Sequence, residues 1–210
     1  MKKAILFDLD GTLWDSSEQV IAAWNRCIRE ELHRTEQFTL AQMQSYMGKT
    51  MEEIAALMFP MESEALRCEY LASCTAAEHD YLADHPAALY TGSREIIEAL
   101  AKEYTLGIVS NCQDGYIECY LAQCGFASCF SDIECAGRTG RPKGENIRLV
   151  MERNGITDCI YVGDTRGDEE AAEFAGVPFV HAAYGFGVAQ NAAAVLQDIR
   201  ELPAVAAKLL

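Results

Sequence analysis

Four aspartates stand where their carboxylates could gather around one cation. Asp8 and Asp10 follow a short apolar segment, and Asp164 and Asp168 follow another one much later in the chain. Two residues apart on an extended segment, Asp8 and Asp10 point the same way. Converging carboxylates repel each other unless one is protonated or a cation lies between them. A hard divalent cation, above all Mg²⁺, would relieve that repulsion, so these acids predict a magnesium site if the fold brings them together.

Two further places carry polar groups that could hold an anion. Ser110 and Asn111 follow the apolar segment 106–109 and offer a hydroxyl, an amide and nearby backbone N–H groups to phosphoryl oxygens. Lys143 lies in a glycine-rich stretch just before a helix, where an ammonium would offset charge near a transferring group. Each residue alone is better explained as a helix cap or a solvated side chain. The prediction of a site therefore depends on their convergence.

The order of apolar segments predicts that convergence. Residues 3–7 form a short apolar segment that predicts a buried strand. Further strand-like segments at 106–109, 130–133, 159–162 and 177–180 alternate with helical ones at 93–104, 114–123, 145–154 and 167–175. This alternation indicates an α/β fold, a Rossmann-like, doubly wound parallel sheet with helices on both faces. In such sheets ligands bind outside the carboxyl ends of the strands, where the polar residues described above lie.

A block of helices interrupts this pattern. Apolar spacing and capping residues predict a helix after residues 15–17 and others at 39–46, 50–58 and 63–82, with no convincing strand between 39 and 83. We therefore predict an all-α insertion over residues 16–84, with residues 1–15 and 85–210 forming the α/β core.

Composition excludes several classes of function. The chain has 17 basic and 32 acidic residues and a net charge of −15, which argues against a non-specific nucleic-acid or anionic-membrane binder. The apolar segment after the first residues is too short for a signal peptide. Residues 174–197 lack charge, but glycines and polar residues interrupt them, so we predict a buried strand, a loop and a helix start rather than a membrane span. The nine cysteines include no CxxC pair and indicate small buried side chains in a reducing cytoplasm.

Four segments in this order resemble the motifs of the haloacid dehalogenase-like superfamily of phosphohydrolases. The segments are Asp8-Leu-Asp10-Gly-Thr-Leu, Ser110-Asn111, Lys143, and Gly163-Asp164-Thr-Arg-Gly-Asp168 followed by Glu-Glu-Ala-Ala. The first and fourth are specific alone, and the combination is very specific. The helical insertion after the first motif resembles the mobile cap of the phosphoglycolate phosphatase and β-phosphoglucomutase branch.

The resemblance implies a mechanism. Asp8 would attack phosphorus to give an aspartyl-phosphate, and Asp10 would protonate the leaving oxygen and then deprotonate the hydrolytic water. Mg²⁺ would be held by Asp8, the backbone carbonyl of Asp10, and Asp164, with Asp168 binding it directly or through water. The phosphate-binding residues implied are Gly11, Thr12, Ser110, Asn111 and Lys143.

One departure concerns the third motif. In the branch that this chain resembles, the motif lysine commonly precedes proline, whereas here Arg141 precedes Pro142 and Lys143 follows it. We assign the role to Lys143 because its ammonium is a compact point charge, and Arg141 remains the alternative.

Substrate choice is expected to depend on the cap. Lys49 lies in a turn between two predicted cap helices, where it could meet an anionic leaving group. Trp24 and Arg26 on the first cap helix are weaker candidates. Cys112, beside Asn111, could make the enzyme sensitive to thiol reagents, although burial is the simpler expectation.

The predicted function is a Mg²⁺-dependent phosphatase for a small phosphorylated metabolite, such as a phosphoglycolate-like or sugar-phosphate-like monoester. A phosphomutase that uses the same intermediate is an alternative that the sequence does not separate from it. Dehalogenation is less favoured, because it has no use for the second aspartate or a metal. A non-enzymatic phosphoacceptor or binding protein ranks lower, since the insertion is large and every proposed catalytic side chain is present. The oligomeric state is left open, and a monomer is compatible with the sequence.

Overall fold

The computed structural model describes residues 2–210 and contains a central sheet of six strands. In chain order the strands are β1 (Lys3–Phe7), β2 (Trp14–Asp15), β3 (Ala88–Leu89), β4 (Thr105–Ser110), β5 (Phe130–Cys135), β6 (Asp158–Gly163), β7 (Phe179–Ala182) and β8 (Ala194–Leu196). The helices are α1 (Ser17–Glu30), α2 (Leu40–Tyr46), α3 (Met51–Met58), α4 (Glu64–Asp84), α5 (Ser93–Leu100), α6 (Tyr116–Cys124), α7 (Ala136–Thr139), α8 (Lys143–Asn154), α9 (Arg166–Ala175) and α10 (Leu202–Leu209).

The central sheet has the order β5-β4-β1-β6-β7-β8, and every pairing in it is parallel. Along β1, Ile5 and Phe7 belong to the apolar cluster under α5, α6 and α10, while Ala4 and Leu6 belong to the cluster under α8 and α9. Because successive side chains of a strand point to opposite faces, a strand buried on both faces is apolar throughout. The predicted doubly wound α/β fold is confirmed.

The winding of the sheet reverses at β1. From β1 the chain passes to β4 and β5 on one side, and then crosses to β6, β7 and β8 on the other. The loops after β1, β4 and β6 therefore separate at one edge of the sheet and leave a crevice. Open α/β sheets bind ligands at this position.

Helices α1 to α4 pack on one another around an apolar cluster of their own. Thr39 and Thr50 each form a capping box, with Gln42 and Glu53 as the reciprocal partners, which fixes where α2 and α3 begin. The short antiparallel pair of β2 and β3 lies where the chain leaves the core and returns to it. The boundaries of the insertion, residues 16 and 84, stay a prediction.

Several elements differ from the sequence-based expectations. The expected helix start at the end of residues 174–197 is wrong, because residues 194–196 form β8 and pair with β7 from Val180 to Ala182. Helix α5 ends at Leu100 rather than at Tyr104, and hydrogen bonds between residues three apart close the turn that follows. Lys143 lies in the first turn of α8 and not in the loop before it. Within residues 2–210, no helix combines the length and the apolar composition of a membrane span.

Candidate active site

Three acidic side chains from different elements meet at the carboxyl end of β1. Asp8 follows β1 directly, Asp164 follows β6 directly, and Asp168 lies in the first turn of α9. One carboxylate oxygen from each lies within 4.8 Å of those of the other two. All three side chains are buried, so the convergence predicted for these residues is present in the structure.

Lys143 supplies the positive charge within this group. Its Nζ donates to Asp8 Oδ1 at 2.8 Å and to Asp168 Oδ1 at 2.6 Å, and the residue is 4% exposed. Burial lowers the pKa of the ammonium, but the two carboxylates more than offset this and leave the pKa raised, so Lys143 stays charged. Arg141 is exposed and contributes backbone hydrogen bonds. The structure thus places Lys143, and not Arg141, against Asp8.

Asp168 has a partner for each of its oxygens. Oδ1 accepts from Lys143, while Oδ2 accepts from the backbone N–H and the hydroxyl of Thr165. The contacts to Thr165 form a capping box at the start of α9. Asp168 therefore stabilises the helix terminus and holds Lys143 in place. A metal ion would bind Asp168 directly only if one of these hydrogen bonds were replaced, or else through a water molecule.

Asp164 offers an oxygen suited to a metal ion. Its Oδ2 accepts backbone N–H bonds from Phe186 at 2.7 Å and Gly187 at 3.3 Å. Its Oδ1 is buried and has no hydrogen-bond partner within residues 2–210. Gly11 has a φ of 79°, and a Cβ there would lie 2.4 Å from Asp164 Oδ2, so the turn after β1 passes too close to this carboxylate for any other residue. A buried oxygen without a partner beside two more carboxylates fits Mg²⁺, which prefers oxygen ligands.

The charges at this site also favour the binding of a divalent cation. Burial and the neighbouring charge of Asp168 raise the pKa of Asp8 to about 7, although Lys143 acts to lower it. Burial, Asp168 and Asp8 raise the pKa of Asp164 to about 8. One ammonium therefore does not compensate three carboxylates, and a divalent cation would allow all of them to ionise.

Asp10 has a different environment from that group. Its Oδ1 accepts from Trp14 Nε1 at 2.9 Å, Ser16 Oγ at 2.8 Å and Tyr116 Oη at 2.9 Å. Burial raises the pKa of Asp10 above its usual value, while these three donors act to lower it. Fixed through Oδ1, the carboxyl can exchange a proton at Oδ2, as general acid–base catalysis requires.

The predicted phosphate-binding residues are placed unequally. Ser110 ends β4, is buried and lines the same cavity as Asp10 and Asn111. The turn after β1 uses the N–H groups of Gly11 and Thr12, which bond to the carbonyls of Trp14 and Leu9. The Thr12 hydroxyl is buried without a partner in the described part of the chain. Ser110 and Asn111 thus line the cavity beside Asp10, whereas the amides of Gly11 and Thr12 are already bonded within their turn.

A small cavity of about 40 Å³ lies between the core site and helices α1 to α4. Lys49 and Trp24 line it, whereas Arg26 lies over the ring of Tyr81, 5.4 Å from its centre. Asn111 Nδ2 donates to the Gly48 carbonyl at 2.9 Å and so joins the core to the turn that carries Lys49.

Cys112 also lines this cavity but is 8% exposed. Burial, the contact with Cys135 and the charge of Asp10 raise the pKa of its thiol, so it stays protonated and poorly reactive. This agrees with the simpler expectation for Cys112. Sequence reasoning missed Tyr116 and Glu78, two further cavity residues, because each lies in a helix where nothing in the spacing distinguishes it from its neighbours.

Comparisons with known sequences identify the family of the chain. A family model described as haloacid dehalogenase-like hydrolase matches residues 5–182. A phosphoglycolate phosphatase from Xanthomonas campestris pv. campestris is 30% identical over 194 residues, which cover 88% of this chain and 84% of that protein. Pyrophosphatase PpaX from Bacillus velezensis is 28% identical over 200 residues, which cover 93% of this chain and 89% of that protein.

Comparison with solved structures gives the same fold. A haloacid dehalogenase-like hydrolase from Bacteroides fragilis aligns with a TM-score of 0.85 at 22% identity, over 96% of this chain and 100% of that one. Together with the match of the family model over most of the chain, these likenesses confirm the predicted resemblance. The chain belongs to the haloacid dehalogenase-like hydrolases, in the branch that contains phosphoglycolate phosphatases.

Proposed function

We propose that this protein is a Mg²⁺-dependent phosphatase that hydrolyses a small phosphomonoester through an aspartyl-phosphate on Asp8. The observation that carries the proposal is the contact of Asp8 Oδ1 with Lys143 inside a group of three buried carboxylates, one of which has an oxygen without a partner among the described residues. That arrangement suits a phosphoryl group and a divalent cation better than it suits the protein alone. The phosphatases among the relatives support the same reaction class.

The metal would be held by the carboxylates of Asp8 and Asp164 and by the backbone carbonyl of Asp10, with Asp168 reaching it directly or through water. When bound, Mg²⁺ would offset the negative charge that the phosphoryl oxygens bring into the site. Lys143 would offset part of the same charge, and Ser110 and Asn111 would donate hydrogen bonds to the phosphoryl oxygens. Gly11 and Thr12 complete the proposed phosphate-binding set. Because their N–H groups bond within the turn after β1, their contribution would be to fix the shape of that turn.

Two displacements complete the reaction. In the first, a carboxylate oxygen of Asp8 attacks phosphorus, the ester P–O bond breaks, and Asp10 gives its proton to the leaving oxygen. In the second, Asp10 takes a proton from a water molecule as that water attacks the same phosphorus, and the bond between Asp8 and phosphorus breaks. Inorganic phosphate and an alcohol are the products, and both aspartates return to their initial states.

The insertion over residues 16–84 acts as a cap in this proposal. It contacts the core through Asn111 and Gly48 beside the cavity next to Asp10, where it would limit the access of bulk water to the leaving group. Lys49, at the same turn, would attract anionic substrates of the phosphoglycolate or sugar-phosphate type. All nine cysteines are free thiols, which supports a reducing, cytoplasmic location.

Phosphate release from a panel of small phosphomonoesters tests the proposal. We expect release with Mg²⁺, its loss in EDTA, and a fall of at least about 10³-fold in Asp8→Asn. Asp80→Asn is the matched control, because it removes a carboxylate from an exposed position on α4. Metal-independent release, or full activity of Asp8→Asn, would contradict the mechanism.

The same assay separates hydrolysis from the phosphomutase alternative. A mutase would convert a sugar phosphate into an isomer and release little inorganic phosphate, whereas a phosphatase releases phosphate in proportion to the substrate consumed. Both products can be followed by ³¹P NMR in one sample.

A further inference from the structure

The cavity beside Asp10 contains a second buried acid, which the proposed mechanism does not use. Glu78 belongs to α4, is 2% exposed, and lines the cavity together with Asp10, Ser110 and Asn111. Because Asp10 would protonate the leaving oxygen, the atoms of the leaving group next to that oxygen would lie at this cavity. Glu78 is therefore placed to face the leaving group and not the phosphoryl group.

The hydrogen bonds of Glu78 come from neutral donors. Trp24 Nε1 donates to Oε2 at 2.5 Å, and Gln113 Nε2 donates to Oε1 at 2.8 Å. No salt bridge to Glu78 occurs in the described part of the chain. Burial raises its pKa to about 8, with a further contribution from the charge of Asp10. The two bonds fix the position of the carboxyl but leave it without a countercharge.

The remaining walls of the cavity are mostly apolar. Apolar cap side chains form most of them: Val20, Met43, Met47, Met51 and Ile54. Lys49 is the cation among the lining residues, and it is exposed, whereas Glu78 is buried. The interior of the cavity is thus acidic, and its one basic group lies toward solvent.

We propose that Glu78 is a specificity-determining residue that selects phosphomonoesters whose leaving group ends in a hydrogen-bond donor, most favourably an ammonium, and that it disfavours a leaving group that ends in a carboxylate. The inference rests on the proposed phosphatase function and narrows its substrate class. It separates this chain from the substrate that the name of its phosphoglycolate phosphatase relatives would suggest.

The physical reason is the cost of placing like charges together away from water. A carboxylate in the cavity would lose its hydration and, above about pH 8, where Glu78 is ionised, would meet a like charge. An ammonium would also lose hydration, but it would form an ion pair with Glu78 and so supply the countercharge that Trp24 and Gln113 do not. A hydroxyl would donate a hydrogen bond to Glu78 but bring no countercharge. An alkyl group would contact only the apolar wall of the cavity.

Four phosphate esters of similar size test the inference directly: aminoethyl phosphate, hydroxyethyl phosphate, ethyl phosphate and phosphoglycolate. The measurement is kcat/KM with Mg²⁺ for each ester above about pH 8, where Glu78 is ionised, in the wild-type chain and in Glu78→Gln. We expect wild type to prefer aminoethyl phosphate over phosphoglycolate by about tenfold or more, with the other two esters between them. In Glu78→Gln this ratio should fall by about tenfold.

Three further variants separate specificity from structure. Glu69→Gln removes a charge from an exposed position of the same helix and should leave the ratio unchanged. Gln113→Leu removes one hydrogen bond between core and cap but keeps the carboxylate, so it should lower all four values together. Glu78→Asp keeps the charge and should restore part of the preference for the ammonium.

Each result decides the matter. A wild-type preference for phosphoglycolate overturns the inference, as does a Glu78→Gln variant that loses activity equally on all four esters. If Glu78→Gln does not fold, the wild-type order of the esters alone decides. Release of phosphate from p-nitrophenyl phosphate but from none of the four would overturn the inference and leave the proposed function intact. Only the absence of release from every ester would reject both.

Discussion

Buried carboxylates lie in the core site and beside the cavity between core and cap, but the two groups are compensated differently. On the core side, Asp8 and Asp168 share the ammonium of Lys143. On the cap side, Glu78 has only the N–H groups of Trp24 and Gln113. Burial raises the pKa of the acid on each side, to about 7 for Asp8 and about 8 for Glu78.

The difference indicates two kinds of task. A carboxylate that is held by a cation and still lacks full compensation is suited to bind a metal and to attack an electrophile. A carboxyl that is held by neutral donors keeps its position whatever its charge, so its ionisation can respond to the ligand that enters. The core site would then carry the chemistry common to the family, while the cap side would determine which leaving group reaches it.

The largest expected effect concerns Lys143. Lys143→Met should lower kcat/KM by about 10³-fold, because it removes the ammonium that contacts Asp8 and would offset charge in the transition state. Arg141→Met, two residues away and exposed, should stay within about threefold of wild type. Steady-state kinetics on one phosphomonoester measure both. Equal losses in the two variants would return the third-motif role to an open question.

The second prediction concerns stability without metal. Unfolded, Asp8 and Asp164 ionise near 3.8, whereas in the fold their pKa values are about 7 and about 8. Between those values the folded chain binds more protons than the unfolded chain, so these two groups make stability fall as pH rises from about 4 to about 8. Thermal melts should show that Mg²⁺ raises Tm by about 4 °C or more at pH 8 and by much less at pH 5.

The same melts compare the two sides of the cavity. The pKa of Glu78 is raised in the same direction, but Mg²⁺ in the core should not relieve it. Part of the fall in Tm with pH should therefore persist with Mg²⁺ and diminish in Glu78→Gln. An equal gain from Mg²⁺ at pH 5 and pH 8 would contradict the assignment of the core carboxylates to the metal.

The smallest expected effect concerns Lys49. Lys49→Met should lower kcat/KM for phosphoglycolate by about threefold and for ethyl phosphate by less, since an exposed charge contributes little and is screened by salt. Lys102→Met, which removes an exposed lysine of the core, is the control. No change at low ionic strength would remove Lys49 from the substrate-binding residues.

The fold and the positions of the core carboxylates could be predicted because short-range patterns carry them. Asp8 and Asp164 each follow a short apolar segment that predicts a buried strand, and parallel strands bring such residues to one edge. Strand β8 was missed because its three residues are too few to show a period. The pair β2–β3 is shorter still.

Other features depend on tertiary contacts that spacing does not encode. Sequence alone could not decide between Arg141 and Lys143, because the choice depends on which side chain the first turn of α8 directs inward. Glu78 and Tyr116 reach the cavity from α4 and α6, far from any motif. Each looks like an ordinary helical residue until the helices pack.

The central claim, that Asp8 accepts the phosphoryl group, can be tested by acid quenching during the first turnover and mass spectrometry of the digested protein. We predict a phosphorylated peptide with the modification on Asp8. With p-nitrophenyl phosphate, whose leaving group needs no proton from Asp10, the occupancy should be higher in Asp10→Asn, because that variant lacks the base for hydrolysis. A turning-over enzyme whose Asp8 peptide stays unmodified in both proteins, or whose phosphate lies on another residue, would contradict it.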